Sequence, residues 1–198
     1  MMMFHIRIHG RGGQGVVTAA ELLSIAAFRE GRHAQAFPSF GSERTGAPVV
    51  AFCRIADRKI RNREPVIAPD AVIIQDPTLL HQVDVFAGMV PDAYMLINTS
   101  RDFDALGLRD FVSGFDANHR STVPATEIAV RHVGKPVPNA ALLGGFAALT
   151  GLLSIDSVAA AIREKFAERI AEPNVAAARE AFQFVHQKME VLARAEAG

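Results

Sequence analysis

Polar and apolar residues alternate strictly at the start of the chain. In FHIRIHG (4–10), Phe4, Ile6 and Ile8 are separated by His5, Arg7 and His9, a period of two that predicts a strand with one apolar and one polar face. A central strand of a parallel sheet is usually apolar on both faces, so the polar face points to water, a ligand or a partner on that side. From Gln14 to about Arg29 the spacing lengthens to that of a helix, with Gly31 as its stop. HAQAF (33–37) and APVVAFCRIA (47–56) read as the next strands, and RKIR (58–61) as a segment that folds back onto the latter. DAVIIQD (70–76) and AYMLINT (93–99) are short apolar strands ending in polar residues, and RSTVP (120–124) leads into a helix over about 125–132.

The last third is helical in pattern. NAALLGGFAALTGLL (139–153) is apolar all round and predicts a buried helix, with Asn139 as its cap and two glycines that allow close helix packing. SVAAAIREKFAERI (157–170) and NVAAAREAFQFVHQKMEVLARA (174–195) are amphipathic, with Ser157 and Asn174 as the expected caps. Strands alternating with helices predict a single α/β domain over residues 1–198. The expected architecture is three-layered (α/β/α) and Rossmann-like, with a mostly parallel sheet and an antiparallel edge hairpin.

Composition narrows the chemistry. The 198 residues carry 21 Lys plus Arg against 21 Asp plus Glu, a balance that argues against a nucleic-acid binder. No apolar run approaches the roughly 18 residues that span a bilayer. The start of the chain does not read as a signal peptide, so a cytoplasmic protein is expected. Cys53 is the single cysteine. One thiol makes no internal disulfide and cannot hold an iron–sulfur cluster, so any redox centre near this chain belongs to another chain. Inside an apolar strand, Cys53 reads as a small hydrophobe.

Gly10, Gly12 and Gly15 stand at the spacing G-x-G-x-x-G between the first strand and the first helix. Glycines at these places serve a positive φ, a close ligand or a close helix–strand contact, and the helix N-terminus beyond them suits a phosphate. A dinucleotide site also needs an Asp or Glu about 20 residues on. GRHAQAFPSFG (31–41) supplies none before Glu43, so the loop reads as a tight turn touching a phosphate group or nothing.

The loop GRGGQG (10–15) is more specific than its glycine spacing. With FPSFGSERTGAPV (37–49), PNAALLGGF (138–146) and EPNVAAAREAF (172–182), it resembles the gamma subunit of 2-oxoacid:ferredoxin oxidoreductases, the pyruvate:ferredoxin oxidoreductase family. The resemblance implies a non-catalytic but required subunit of a thiamine-diphosphate-dependent complex. That complex decarboxylates a 2-oxoacid to an acyl-coenzyme A, with electrons going to ferredoxin or another acceptor such as NAD. It implies thiamine-binding alpha and beta partners and a ferredoxin-like delta partner that carry the thiamine diphosphate and the iron–sulfur clusters. This chain would bind no cofactor alone, and would contribute to assembly and to the site of coenzyme A, a shared substrate. The expected ligand-facing residues are Gly10, Gly12, Gly13, Gln14 and Gly15 with Ser39, Gly41, Ser42 and Arg44. No catalytic or metal-binding residue is expected.

The chain departs from the family pattern at Phe40, where Tyr is usual, and at Thr45 within Arg44–Thr45–Gly46, where Arg-Gly-Gly is common. A Cβ at Thr45 argues against a positive φ there. Two other readings stay open: a stand-alone NAD(P)-dependent dehydrogenase, and a purely structural scaffold.

The remaining polar residues read more simply. His5 and His9 lie about 13 Å apart along a strand, too far to share a metal ion. Asp76, Asn98 and Thr99 end strands at the edge where α/β sheets bind ligands, but serve equally as turn and cap residues. Arg58, Lys59, Arg61 and Arg63 read as a basic guard on an edge hairpin.

Overall fold

The computed structural model describes residues 3–39, 45–62 and 64–196. Six strands, β1 (Phe4–Arg11), β2 (His33–Pro38), β3 (Pro48–Ala56), β4 (Ala71–Ile74), β5 (Tyr94–Asn98) and β6 (Arg120–Val123), form one sheet. Its order is β2-β3-β1-β4-β5-β6. β3 alone runs against the others, pairing antiparallel with both β1 and β2, while β4, β5 and β6 follow β1 in parallel. The expected α/β sheet is therefore present, with its antiparallel element in a different place. RKIR forms no strand; instead β3 returns from the edge strand β2 and inserts between it and β1.

One face of the sheet carries all the long helices: α1 (Val16–Arg29), α3 (Ala125–Val133), α4 (Asn139–Thr150), α5 (Ile155–Lys165) and α6 (Glu168–Glu196). Ile6, Ile8, Cys53, Ile55, Ile73, Leu96 and Val123 point into this layer and share its core with the alanine-rich helices. The opposite layer is thin. A 3₁₀ turn at Pro77–His81, the one-turn helix α2 (Arg109–Val112) and loops lie there, while a second 3₁₀ turn, Ala117–His119, sits near α4 and α6. Val72, Ile74, Met95 and Ile97 pack against Leu79, Val85 and Val112 on that side.

The alternation in β1 forms the expected strand, but its polar face is not open. β1 lies inside the sheet, and Arg7 and His9 are buried. The Arg7 guanidinium donates to the carbonyls of Val66, Val85 and Ala87, so the cation ties two loops down onto the strand. Arg54, opposite His5 in the register, does the same for the carbonyls of Asn62 and Glu64. Burial lowers the pKa of both arginines. A buried cation keeps its charge only when its N–H groups find acceptors, and here loop carbonyls supply them to the terminal nitrogens, though not to either Nε. His9 has no such supply: among the described residues neither ring nitrogen has a hydrogen-bond partner.

The last two helices begin before the caps that the pattern suggests. Ser154, not Ser157, caps α5, accepting from the Ser157 N–H at 3.1 Å. Asn174 lies inside α6, which begins at Glu168 and carries Pro173 in its second turn. The side-chain amide of Asn174 donates back to the Ile170 carbonyl at 2.8 Å, local support next to a residue that offers no N–H. Asn139 is the first residue of α4, after Pro138, and its Oδ1 accepts from the Ala140 N–H. Gly144 allows the expected close helix crossing, since a Cβ there would overlap the Ala178 carbonyl of α6.

Candidate functional site

The glycine loop closes β1 and opens α1 at the C-terminal edge of the sheet. Three of its glycines have distinct local reasons. A Cβ on Gly10 would stand 2.6 Å from Val16 Cγ2, so this glycine lets the helix sit against the strand. Gly13 has φ 92° and Gly15 φ 74°, both in the left-handed region that side chains avoid. Gly15 is the N-cap of α1, and a Cβ there would meet Asn139 Nδ2 at 2.6 Å, so α1 and α4 begin side by side.

Side chains beneath the loop hold it in place. Gln14 Oε1 accepts from the Arg11 N–H at 2.8 Å, and its amide donates to Asp76 Oδ2 at 3.0 Å. Arg11 Nε donates to the same Asp76 oxygen at 3.0 Å. The rest of that guanidinium reaches the Gly46 carbonyl, Thr78 Oγ1 and Gln82 Oε1 at 3.0, 2.7 and 2.9 Å. Gln75 Nε2 donates to the Gln14 carbonyl at 3.1 Å. Asp76 is thus the hub. It also caps the 3₁₀ turn through the Thr78 N–H and hydroxyl. Burial alone would raise its pKa, but hydrogen bonds from Thr78 and Gln14 and the charge of Arg11 outweigh that and hold the carboxyl below its ordinary range.

The neighbouring strand ends continue this framework. Asn98 donates to the Gln75 carbonyl and to Thr126 Oγ1, both at 2.7 Å, and accepts from the Thr126 N–H at 3.0 Å. Asn98, Thr99, Ser100, Pro124, Thr126, Glu127 and Pro77 line a cleft of about 260 Å³ at this edge. The cap and turn reading of Asp76 and Asn98 therefore holds. The same residues also link the ends of β1, β4, β5 and α3.

The second predicted loop meets the first at its described end. Gly12 donates to the Ala47 carbonyl at 2.9 Å and accepts from the Gly46 N–H at 3.0 Å, forming a bridge beside Thr45. Gly46 takes the positive φ, at 81°, and Thr45 does not. Ser39 is exposed and continues the β2–β3 ladder through its N–H to the Val50 carbonyl. Phe40, Gly41, Ser42, Glu43 and Arg44 lie outside the described residues. Of the predicted set, Gly10, Gly12, Gly13, Gln14 and Gly15 cluster together, whereas Ser39 follows a strand separated from β1 by β3.

What faces outward is mainly backbone. Gly13 is exposed. No side chain caps α1 and no acid lies in its first turn, which leaves the N–H groups of that turn for an anion. The nucleotide geometry differs from a dinucleotide fold. The strand after α1 is the edge strand β2, and β3 occupies the place beside β1 where a ribose-binding acid would arrive. Asp76 comes instead from β4 and is bound to Arg11 and Gln14. Sequence reading missed Arg11, Gln75 and Gly46 as members of the site. Arg11 and Gln75 carried a weak signal, as polar residues ending apolar strands.

The family described as pyruvate ferredoxin/flavodoxin oxidoreductase matches residues 5–184. The chain belongs to this family. The PorC subunit of pyruvate synthase from Methanothermobacter thermautotrophicus is 46% identical over 185 residues, covering 93% of this chain and 97% of that protein. The common gamma subunit of the pyruvate/ketoisovalerate oxidoreductases of Pyrococcus abyssi is 46% identical over 181 residues, covering 91% and 96%. The solved pyruvate oxidoreductase subunit PORC of Thermotoga maritima superposes with a TM-score of 0.77 at 34% identity, over 91% and 96% of the two chains. This gamma-type chain is thus a subunit of an oxidoreductase complex, as its four motifs implied. Among the described residues no group of His, Cys, Asp or Glu could hold a metal ion. Among the described residues, no helix is long and apolar enough to cross a membrane.

Proposed function

We propose that this gamma-type chain acts in the oxidative conversion of a 2-oxoacid to an acyl-coenzyme A by shaping the complex around reactive groups that other subunits hold. It docks on thiamine-binding and ferredoxin-like partners in the cytoplasm, and its glycine loop lines part of the path of coenzyme A. One observation carries the reading: Arg11, Gln14 and Asp76 bond to one another under the loop, while Gly13 is exposed and no side chain caps α1. Such a surface offers backbone N–H groups suited to a phosphate, with little side-chain chemistry of its own. Arg44, outside the described residues, is the charge proposed to complete it. Because Arg11 already has four side-chain and carbonyl partners, it serves to position the loop.

The test uses the assembled complex carrying Gly13→Ala. A loop that lines the coenzyme A path predicts a raised Michaelis constant for coenzyme A, with retained subunits and a far smaller change for the 2-oxoacid. An intact complex with an unchanged constant would favour the scaffold reading. Calorimetric binding of a nicotinamide nucleotide by the purified chain would favour the dehydrogenase reading.

A further inference from the structure

The end of the sheet away from the glycine loop presents a second concave surface. β6 is the last strand, and the final turns of α6 lie beside its free edge. Between them is an open groove of about 450 Å³, lined on its apolar side by Phe103, Phe184, Val191 and Leu192. It continues past Phe103 and Arg120 into a second depression of about 420 Å³ that reaches Arg109 and Val112. Val191 is 64% exposed and Phe184 36% exposed, so α6 ends with large apolar side chains facing solvent.

Two cations in this groove have no ion pair among the described residues, although Asp102 also lines it. Lys188 has an exposed side chain, but its ammonium turns inward and donates to the Thr122 carbonyl and hydroxyl at 3.0 and 3.1 Å, both neutral acceptors. Arg120 stacks over the Phe103 ring at 5.7 Å. Neither forms an ion pair among the described residues. Elsewhere on the helices, Arg29, Arg131, Arg163, Lys165 and Arg179 each have one, with Glu164, Glu180, Glu172, Glu21 and Asp156. Of the two acids nearest the groove, Asp104 bonds Arg109 and also feels the charge of Arg120, while Asp102 accepts from the Ala105 N–H. Burial lowers the pKa of Lys188 and Asp102 only partly offsets this, so an arriving carboxylate would favour the charged form that desolvation opposes. Lys188 also blocks the outer carbonyl of β6, which works against strand addition and leaves side-chain docking as the mode of use.

We propose that this groove receives an apolar side chain flanked by an Asp or Glu of another subunit of the complex, with the carboxylate meeting Lys188 and Arg120. The proposal rests on the reading of the chain as a docking subunit, and adds where it docks and what the partner presents. Unpaired cations rimming an apolar floor are the complement of such a segment, and a partly desolvated pair of this kind is a strong contact to break.

The test is zero-length carbodiimide coupling of the purified complex followed by peptide mass spectrometry, together with Lys188→Glu, Lys188→Met and Val191→Asp. The expected result joins Lys188 to an acidic residue of a different subunit. Lys188→Glu and Val191→Asp should each weaken retention of this chain by about thirty-fold or more, and Lys188→Met by less, with unchanged circular dichroism and melting of the free variants. Three results would overturn the proposal: coupling of Lys188 to a second copy of this chain; full reactivity of Lys188 toward amine reagents in the complex; or retention unaffected by both charge-introducing variants. A small carboxylate found by native mass spectrometry on the wild-type chain and absent from Lys188→Met would also overturn it. Failure of the wild-type chain to co-purify with any thiamine-binding subunit is a separate result that defeats the functional reading itself.

Discussion

Lowering the pH from 7.5 to 4.5 should destabilise this protein through His9. The imidazole is buried at 5% exposure on the inner strand β1, with neither nitrogen hydrogen-bonded among the described residues. Burial first, and the Arg7 charge second, lower its pKa from 6.5 to about 4. The folded protein therefore binds fewer protons than the unfolded chain between those values. The contribution is constant above about pH 7, falls as pH drops through 6.5, and levels off below about 4. A shift of this size corresponds to about 3 kcal/mol when complete, and to about 2 kcal/mol at pH 5. Several carboxylates titrate nearby in pH, so the assay compares wild type with His9→Leu by urea unfolding at half-unit steps. Leucine fills a similar volume and removes two unpartnered nitrogens, so at pH 7.5 the variant should match or exceed wild type. The gap should then widen in favour of the variant by about 2 kcal/mol by pH 5. A gap that stays constant across the range would refute the burial of a neutral imidazole. So would an NMR titration in which the His9 ring charges near pH 6.5.

Three further outcomes follow from the same packing. Asp76→Asn removes the charge that bonds Arg11 and Gln14 and should cost about 2 kcal/mol in unfolding free energy. Because the Asp76 pKa is held down in the fold, its contribution is full above the ordinary carboxylate value and fades as pH falls below it, so the variant and wild type should converge in acid. Gly144→Ala places a methyl on the Ala178 carbonyl and should lower the melting temperature through a loss of about 3 kcal/mol or more, whereas Gly134→Ala, with open space around it, bears only backbone strain. Cys53 is fully buried with its thiol pushed up to about 12. Iodoacetamide should leave it unlabelled at pH 8 in the native protein and label it promptly in urea, as mass spectrometry would detect.

Local pattern carried much of this protein. The alternation of Phe4 to His9, the alanine-rich run after Gln14, the short apolar runs before Asp76 and Asn98 and the amphipathic C-terminal stretch each specify an element, because a strand and a helix space their buried positions differently. The loop GRGGQG carried its own conformational demand, since Gly13 and Gly15 hold φ values that side chains disfavour. With three other motifs it also carried the family. Local pattern did not carry partnership across the sheet. Nothing in β3 announces that it runs antiparallel between β1 and β2, because its side-chain period is the same in either direction. The polar face of β1 looked open, since the loop carbonyls of Val66, Val85 and Ala87 that receive Arg7 lie some sixty to eighty residues away. The bond from Arg11 to Asp76 spans a similar separation. Only the folded sheet brings the ends of β1 and β4 together, and that meeting turns a flexible glycine loop into a fixed one.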